Sequence, residues 1–193
     1  AQDWAKVLKD HTDRAEGPEA RGLTERCLRG AGGAPLLTGA DQAYRKIIQT
    51  PDHIAIWTEQ LGDTRIIEMT GHPRPDAVVS WLGDSAGHWE GDVLVVETRL
   101  VRAEPTRPAG LPGQPERKLT ERFQLNAPDE LGYSYTIDDP VMFTAPLVVN
   151  FILVRTDSRM FESGCHEGNY GLANILLGAR TTEARMSKTK AKE

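Results

Sequence analysis

Residues 162–171 read ESGCHEGNYG, which sets Cys165, His166 and Glu167 in succession ahead of Asn169 and Tyr170. A thiol, an imidazole that exchanges a proton near neutral pH and a carboxylate are the ingredients of nucleophilic or acid-base chemistry. The only other cysteine is Cys27, and neither a CxxC nor a zinc-ligand spacing joins the two. A single long-range disulfide in an exported protein is the simplest use for both. Two buried thiols, or a nucleophile at Cys165, are the alternatives.

Strand alternation selects further candidates, because side chains at i, i+2 and i+4 share one face. In LTERFQL, Glu121 shares its face with Leu119, Phe123 and Leu125, so this carboxylate is expected among apolar side chains. Burial there raises a carboxyl pKa toward values useful for proton transfer. The same position also suits a buried ion pair with Arg65 or Arg155. If a strand runs through 159–165 and Cys165 points outward to meet Cys27, His166 points inward, toward Glu121. A histidine that merely bonds the GNYG turn is the competing reading. In HIAIWTEQ, His53, Ala55, Trp57 and Glu59 share one face and Ile54 and Ile56 the other. If the first face is inward, Trp57 and Glu59 form an aromatic wall with a polar handle; if the isoleucines fill the core, that face is solvated. Tyr133 and Tyr135 share the face of Leu131 and Ile137 and are expected inside, with hydroxyls that need partners. GDSAGHWEGD gathers Asp84, His88, Glu90 and Asp92, but its glycine-aspartate pairs read as turns. It lacks the HxH, HExxH or paired-cysteine spacing of a metal site, so no metal is assigned.

The elements that must position these residues are mostly strands. Short runs rich in Val, Ile, Thr and aromatics, separated by turn residues, predict strands near 44–50, 53–60, 64–69, 77–82, 86–90, 93–101, 118–126, 131–138, 146–156 and 159–165. Gly62-Asp63 and Gly91-Asp92 mark tight hairpins. Such a series makes a mainly β fold, an antiparallel meander closing into a barrel or sandwich, of which the barrel is taken as the expectation. Residues 1–43 read as a helical or irregular arm, 44–171 as the barrel, and 172–193 as a helix with a basic tail. Leu172, Ile175, Leu176 and Ala179 give that helix its apolar stripe. The loop 104–117, with four prolines in the stretch RAEPTRPAGLPGQPER, is expected to rim the mouth of the barrel.

Composition narrows the partners. The 193-residue chain has a net charge of −5 and one basic cluster, at its C-terminal tail, so nucleic acid is not expected as a partner. No apolar run reaches the roughly 18–20 residues of a membrane-spanning helix. Neither a nucleophile elbow nor a phosphate loop nor a dinucleotide fingerprint is present, and no cofactor is assigned. The oligomeric state is left open, with a homodimer as one option.

The words ERCLRG, IIQTPDHIAIWTE, DTRIIEMTGHPRP, WLGDSAGHWEGDVLVVET, ERF, YTIDDP and CHEGNYGLANIL occur in this order over most of residues 24–180. In these the chain resembles a family of exported proteins of soil bacteria that has no settled activity. The resemblance implies export and a calycin-like β architecture. A His-Asp-x-Arg run of the family pattern stands where this chain has Gly62-Asp63-Thr64-Arg65.

Three functions are compatible with these residues. The first is a cofactor-independent lyase, isomerase or hydrolase that holds a small apolar or polyol-bearing molecule in the barrel. Glu121 and His166 would be its acid-base pair, with Trp57, Glu59, Arg65, Tyr133 and Tyr135 contacting substrate. The second is a lipocalin-like exported binder of a small-molecule ligand, and a weaker third is an interaction module of the cell envelope. A cavity onto which two titratable groups converge favours the enzyme, and an apolar one favours the binder.

Overall fold

The computed structural model describes residues 17–28, 32–36, 44–71, 80–99, 117–140 and 143–190. They divide into two units, of which the larger spans 31–103 and 113–163 and holds every strand. Its strands are β1 (Arg45–Gln49), β2 (His53–Thr58), β3 (Thr64–Glu68), β4 (Asp84–Glu90), β5 (Val93–Arg99), β6 (Lys118–Ala127), β7 (Glu130–Asp138) and β8 (Leu147–Val154). All eight form one sheet in sequential order. The neighbours are antiparallel except β3 and β4, which touch in parallel at Ile67–Ser85 and Glu68–Ala86. The expected meander is therefore present as a curled half-barrel, with that one parallel step inside it and β1 and β8 as its edges.

Register fixes which residues share the inner face. Ile56 pairs with Arg65, Gly87 with Val96, Val96 with Glu121, Glu121 with Tyr135, and Tyr133 with Phe151, so these residues all lie on one face. Ile54, Ile56, Ile67, Leu94, Val96, Leu119, Phe123, Tyr133 and Ile137 on that face are buried and make the concave core. Phe123 and Phe151 each pack against the Tyr133 ring at a centroid distance of 4.8 Å. The opposite faces of β6 and β7 carry Thr120, Arg122, Gln124, Ser134 and Thr136, the alternation of a half-buried sheet. Glycine serves the β4–β5 hairpin directly: Gly91 sits at φ +64°, in the left-handed region a two-residue turn needs. At the β2–β3 turn, Leu61 as well as Gly62 has positive φ.

One expected strand is absent. Residues 155–164 carry no regular structure, because after β8 the chain leaves the ladder and is held by other bonds. Of the strand expected at 77–82, Ser80 forms an isolated bridge and 77–79 lie outside the described residues. The proline-rich loop lies outside them as well, apart from Arg117.

The smaller unit takes in residues up to 30, 104–112 and 164–193. In it, Cys27 and Cys165 form the expected disulfide, with Cα atoms 5.7 Å apart. A turn at 165–168 then leads into helix α1 (Tyr170–Lys190). Asn169 caps it: its Oδ1 accepts from the N–H of Leu172 at 3.3 Å, while its Nδ2 donates to the Glu25 carbonyl at 2.8 Å. The GNYG turn is thus a helix start tied to the chain around Cys27. The predicted stripe is visible in part in α1, where Leu172, Leu176 and Ala179 are half-buried but Ile175 is exposed, as are the later turns. No described helix is long and apolar enough to cross a membrane.

Candidate functional site

Two features of the concave face could bear function: a polar cluster inside the core and a groove at its open side. The cluster is centred on Arg65 and Glu121, which are 1% and 0% exposed. Arg65 grips Glu121 with both terminal nitrogens, Nη1 reaching Oε1 at 3.0 Å and Nη2 making a close contact with Oε2. Its Nε donates to Ser85 Oγ at 2.9 Å and its Nη2 to Thr98 Oγ1 at 3.0 Å. The Tyr133 hydroxyl donates to Glu121 Oε1 at 2.6 Å and accepts from the N–H of Leu36 at 2.9 Å. Four strands, β3, β4, β5 and β6, thereby meet at one guanidinium and its carboxylate, and β7 pins the segment 32–36 to them.

A bidentate arginine-carboxylate pair is strong and directional, and two further donors of the guanidinium go to the two hydroxyls. Burial raises the pKa of Tyr133, and the negative charge of Glu121 beside it raises it further, so the phenol stays protonated as the donor. Tyr135 is raised by burial as well. Both tyrosines point inward as their alternation predicts. Arg65 is placed in the core as the ion-pair partner of Glu121.

Glu121 and His166 each stand otherwise than the sequence reading expects. Glu121 spends its oxygens on Arg65 and Tyr133, and His166 belongs to the smaller unit, where its side chain is exposed in the 165–168 turn. The inference that His166 faces inward rested on a strand through 159–165, and that strand does not form. Trp57 is also displaced from its expected role. The buried face of β2 is that of Ile54, Ile56 and Thr58, so Trp57 lies on the opposite face. His88 and Glu90 stay on the β4–β5 hairpin, 3.4 Å apart, and Arg122 pairs with Glu90 and holds its pKa below the usual carboxylate value.

The groove is formed where the curled sheet brings its two edges near one another. It encloses about 810 Å³ and is lined by Tyr44, Arg45 and Ile47 at the start of β1, Phe151, Leu153 and Arg155 at the end of β8, and Leu125 and Leu131 beside the β6–β7 turn. Ile47, Leu125, Leu131, Phe151 and Leu153 all lie on the concave face by register. Burial lowers the pKa of Arg45, which shows a cation partly withdrawn from water. Asp129 and Glu130 lie at the rim. A space of this size, walled by apolar side chains from several strands with a few polar groups, has the build of a small-molecule site.

Glu59 takes part in this feature in an unexpected way. Beyond β8, the N–H of Arg155 bonds to the Asp129 carbonyl at 2.8 Å. The irregular segment then runs to Phe161, whose N–H donates to Glu59 Oε1 at 2.7 Å. Glu59 Oε2 accepts from the N–H of Tyr44 at 3.4 Å, and the Glu59 N–H donates to the Tyr44 carbonyl at 3.0 Å. Residues 155–161 therefore form a strap from the end of β8 to the start of β1, and both of its anchorages adjoin the groove. Glu59 is its latch.

Arg45, Ile47, Phe151 and Leu153 were not selected from the sequence, although alternation in LVVNFILV sets Phe151 and Leu153 on one face. Leu125 and Leu131 had been placed on the inward face, but as core. What the sequence withheld was the approach of the first strand to the last. Among protein families, curated proteins and solved structures, none matches this chain.

Proposed function

We propose that this chain is a small-molecule binding protein whose ligand lies in the groove between β1 and β8. The observation that carries the reading is the lining itself: five concave-face apolar side chains, Ile47, Leu125, Leu131, Phe151 and Leu153, border one space of about 810 Å³. An open apolar surface of this kind is costly in water and gains most from an apolar occupant. The enzyme reading lacks its acid, because the Glu121 carboxylate is consumed by the core. Export fits the Cys27–Cys165 disulfide, since such bonds persist in oxidising compartments. It also fits the family of exported proteins that the sequence resembles.

An uncharged environment-sensitive probe, N-phenyl-1-naphthylamine, tests the reading by fluorescence titration. The wild-type protein is expected to bind it saturably. Leu131→Arg, which sets a charge in the wall, is expected to weaken binding at least tenfold with little change in circular dichroism. Equal binding by the two proteins would reject the groove as the site.

A further inference from the structure

We infer that the ligand of the groove is a monocarboxylic acid with an apolar body, and that Arg45 and Thr58 receive its carboxylate. The inference rests on the groove being the ligand site and adds the chemical class of the occupant. Among the concave-face side chains that line the groove, Arg45 alone is charged, while Ile47, Leu125, Leu131, Phe151 and Leu153 are apolar. Arg45 faces Thr58 across the β1–β2 ladder, and Thr58 is 0% exposed. Its Oγ1 is buried with no hydrogen-bond partner among the described residues. Arg45 has other interactions, yet its Nε is likewise buried without an acceptor. Two such atoms on facing residues call for an occupant, because a buried polar group left unsatisfied costs stability.

The class of occupant follows from what these atoms accept. A guanidinium nitrogen only donates, and a threonine hydroxyl can donate as well, so an acceptor group with two oxygens serves both. A carboxylate is that group, and its charge makes both bonds stronger than those to a neutral oxygen. The cation gains too: burial holds the Arg45 pKa below the usual arginine value, a penalty on its charge that a neighbouring anion relieves. The rim limits the ligand to one acidic group. There Arg155 stands with Asp129 and Glu130, one cation against two carboxylates, and Glu130 Oε1 already accepts from Asn126 Nδ2 at 3.3 Å. A second carboxylate, or a doubly charged phosphate, would meet repulsion from that rim. The rest of the molecule lies against the five apolar side chains, whose burial supplies the sequence-independent part of the affinity.

Titration calorimetry of the full chain at neutral pH, with decanoate and with 1-decanol, tests this. The alcohol is the more apolar of the two and binds more tightly wherever apolar burial alone decides. The wild type is expected to reverse that order and to bind decanoate at least roughly tenfold more tightly. Arg45→Met should abolish the preference while N-phenyl-1-naphthylamine still binds, and Arg45→Lys should keep part of it. Thr58→Val, which removes the hydroxyl and keeps the shape, should weaken decanoate several-fold and leave 1-decanol unchanged. Circular dichroism should be the same for all three variants. A wild type that binds 1-decanol as tightly as decanoate overturns the inference and marks the two open atoms as a water site. So does a wild type that binds neither ligand, or a preference for decanoate that survives Arg45→Met. If N-phenyl-1-naphthylamine still binds in those cases, the groove stands and only the acid is lost; if it does not, the groove itself is rejected.

Discussion

Replacing Glu121 with Gln separates a structural ion pair from a catalytic carboxylate. The substitution keeps the shape of the side chain but removes its charge, leaving the Arg65 cation buried with neutral partners, Ser85, Thr98 and the single amide oxygen. The amide adds a conflict. Turned one way its NH₂ faces Arg65 Nη2, and turned the other it faces Arg65 Nη1, and both guanidinium nitrogens are donors only. Breaking a buried pair in this way costs about 3–5 kcal/mol. That is a large share of the roughly 5–15 kcal/mol that holds a domain together. At about 2–4 °C per kcal/mol for a chain of this length, the melting temperature should fall by roughly 6–20 °C. Urea denaturation read by circular dichroism, with intact disulfide, measures the loss. The double substitution Arg65→Met/Glu121→Leu removes both charges and should recover most of it, as apolar replacements of buried pairs commonly do. A loss under about 1 kcal/mol for Glu121→Gln, or a double variant worse than the single one, would refute the assignment.

Other consequences are open to test. Tyr133→Phe removes the donor to Glu121 and leaves the buried N–H of Leu36 without its acceptor, an expected cost of about 1–3 kcal/mol in the same denaturation assay. Because folding raises the Tyr133 pKa, the stability it contributes is full below the unfolded tyrosine value near 10 and declines as pH rises above it. Phenolate absorbance from this residue should appear only as the protein unfolds. Glu59→Ala frees the strap, so hydrogen exchange at Phe161 should accelerate and proteases should cut within 155–161, with little change in global stability. Replacing Cys27 and Cys165 with serine opens a link between residues 138 apart, with a loss of up to about 5 kcal/mol expected on chain-entropy grounds.

The strands were legible because most of them pair with their sequence neighbours and bury one face. LTERFQL placed Glu121 correctly among Leu119, Phe123 and Leu125, and DEKR residues on such a face are informative whatever their role. What alternation could not decide was whether the carboxylate would meet an arginine or a substrate. That depended on Arg65, which β3 to β6 bring into register with Glu121 across three strand pairings. HIAIWTEQ has apolar residues on both faces, so periodicity alone left Trp57 ambiguous, and the packing of Ile54 and Ile56 against Arg65 and Ile67 settled it. The segment 159–165 has strand-like residues in Met160 and Phe161 but no ladder partner, since the Phe161 N–H goes to the side chain of Glu59. His166 was misplaced as a direct result. The disulfide was readable because only two cysteines exist. The groove was not, because it joins residues about a hundred positions apart through the curvature of the whole sheet.

The central claim is that the groove between β1 and β8 carries a small apolar molecule. Native mass spectrometry of protein exported and purified without detergent tests it most directly, with Leu131→Arg prepared in parallel. The account predicts a non-covalent adduct of a few hundred daltons on the wild type that collisional activation releases, and its absence from the variant. An adduct of equal abundance on both proteins, or a wild type that carries none and takes up no apolar probe, would contradict it.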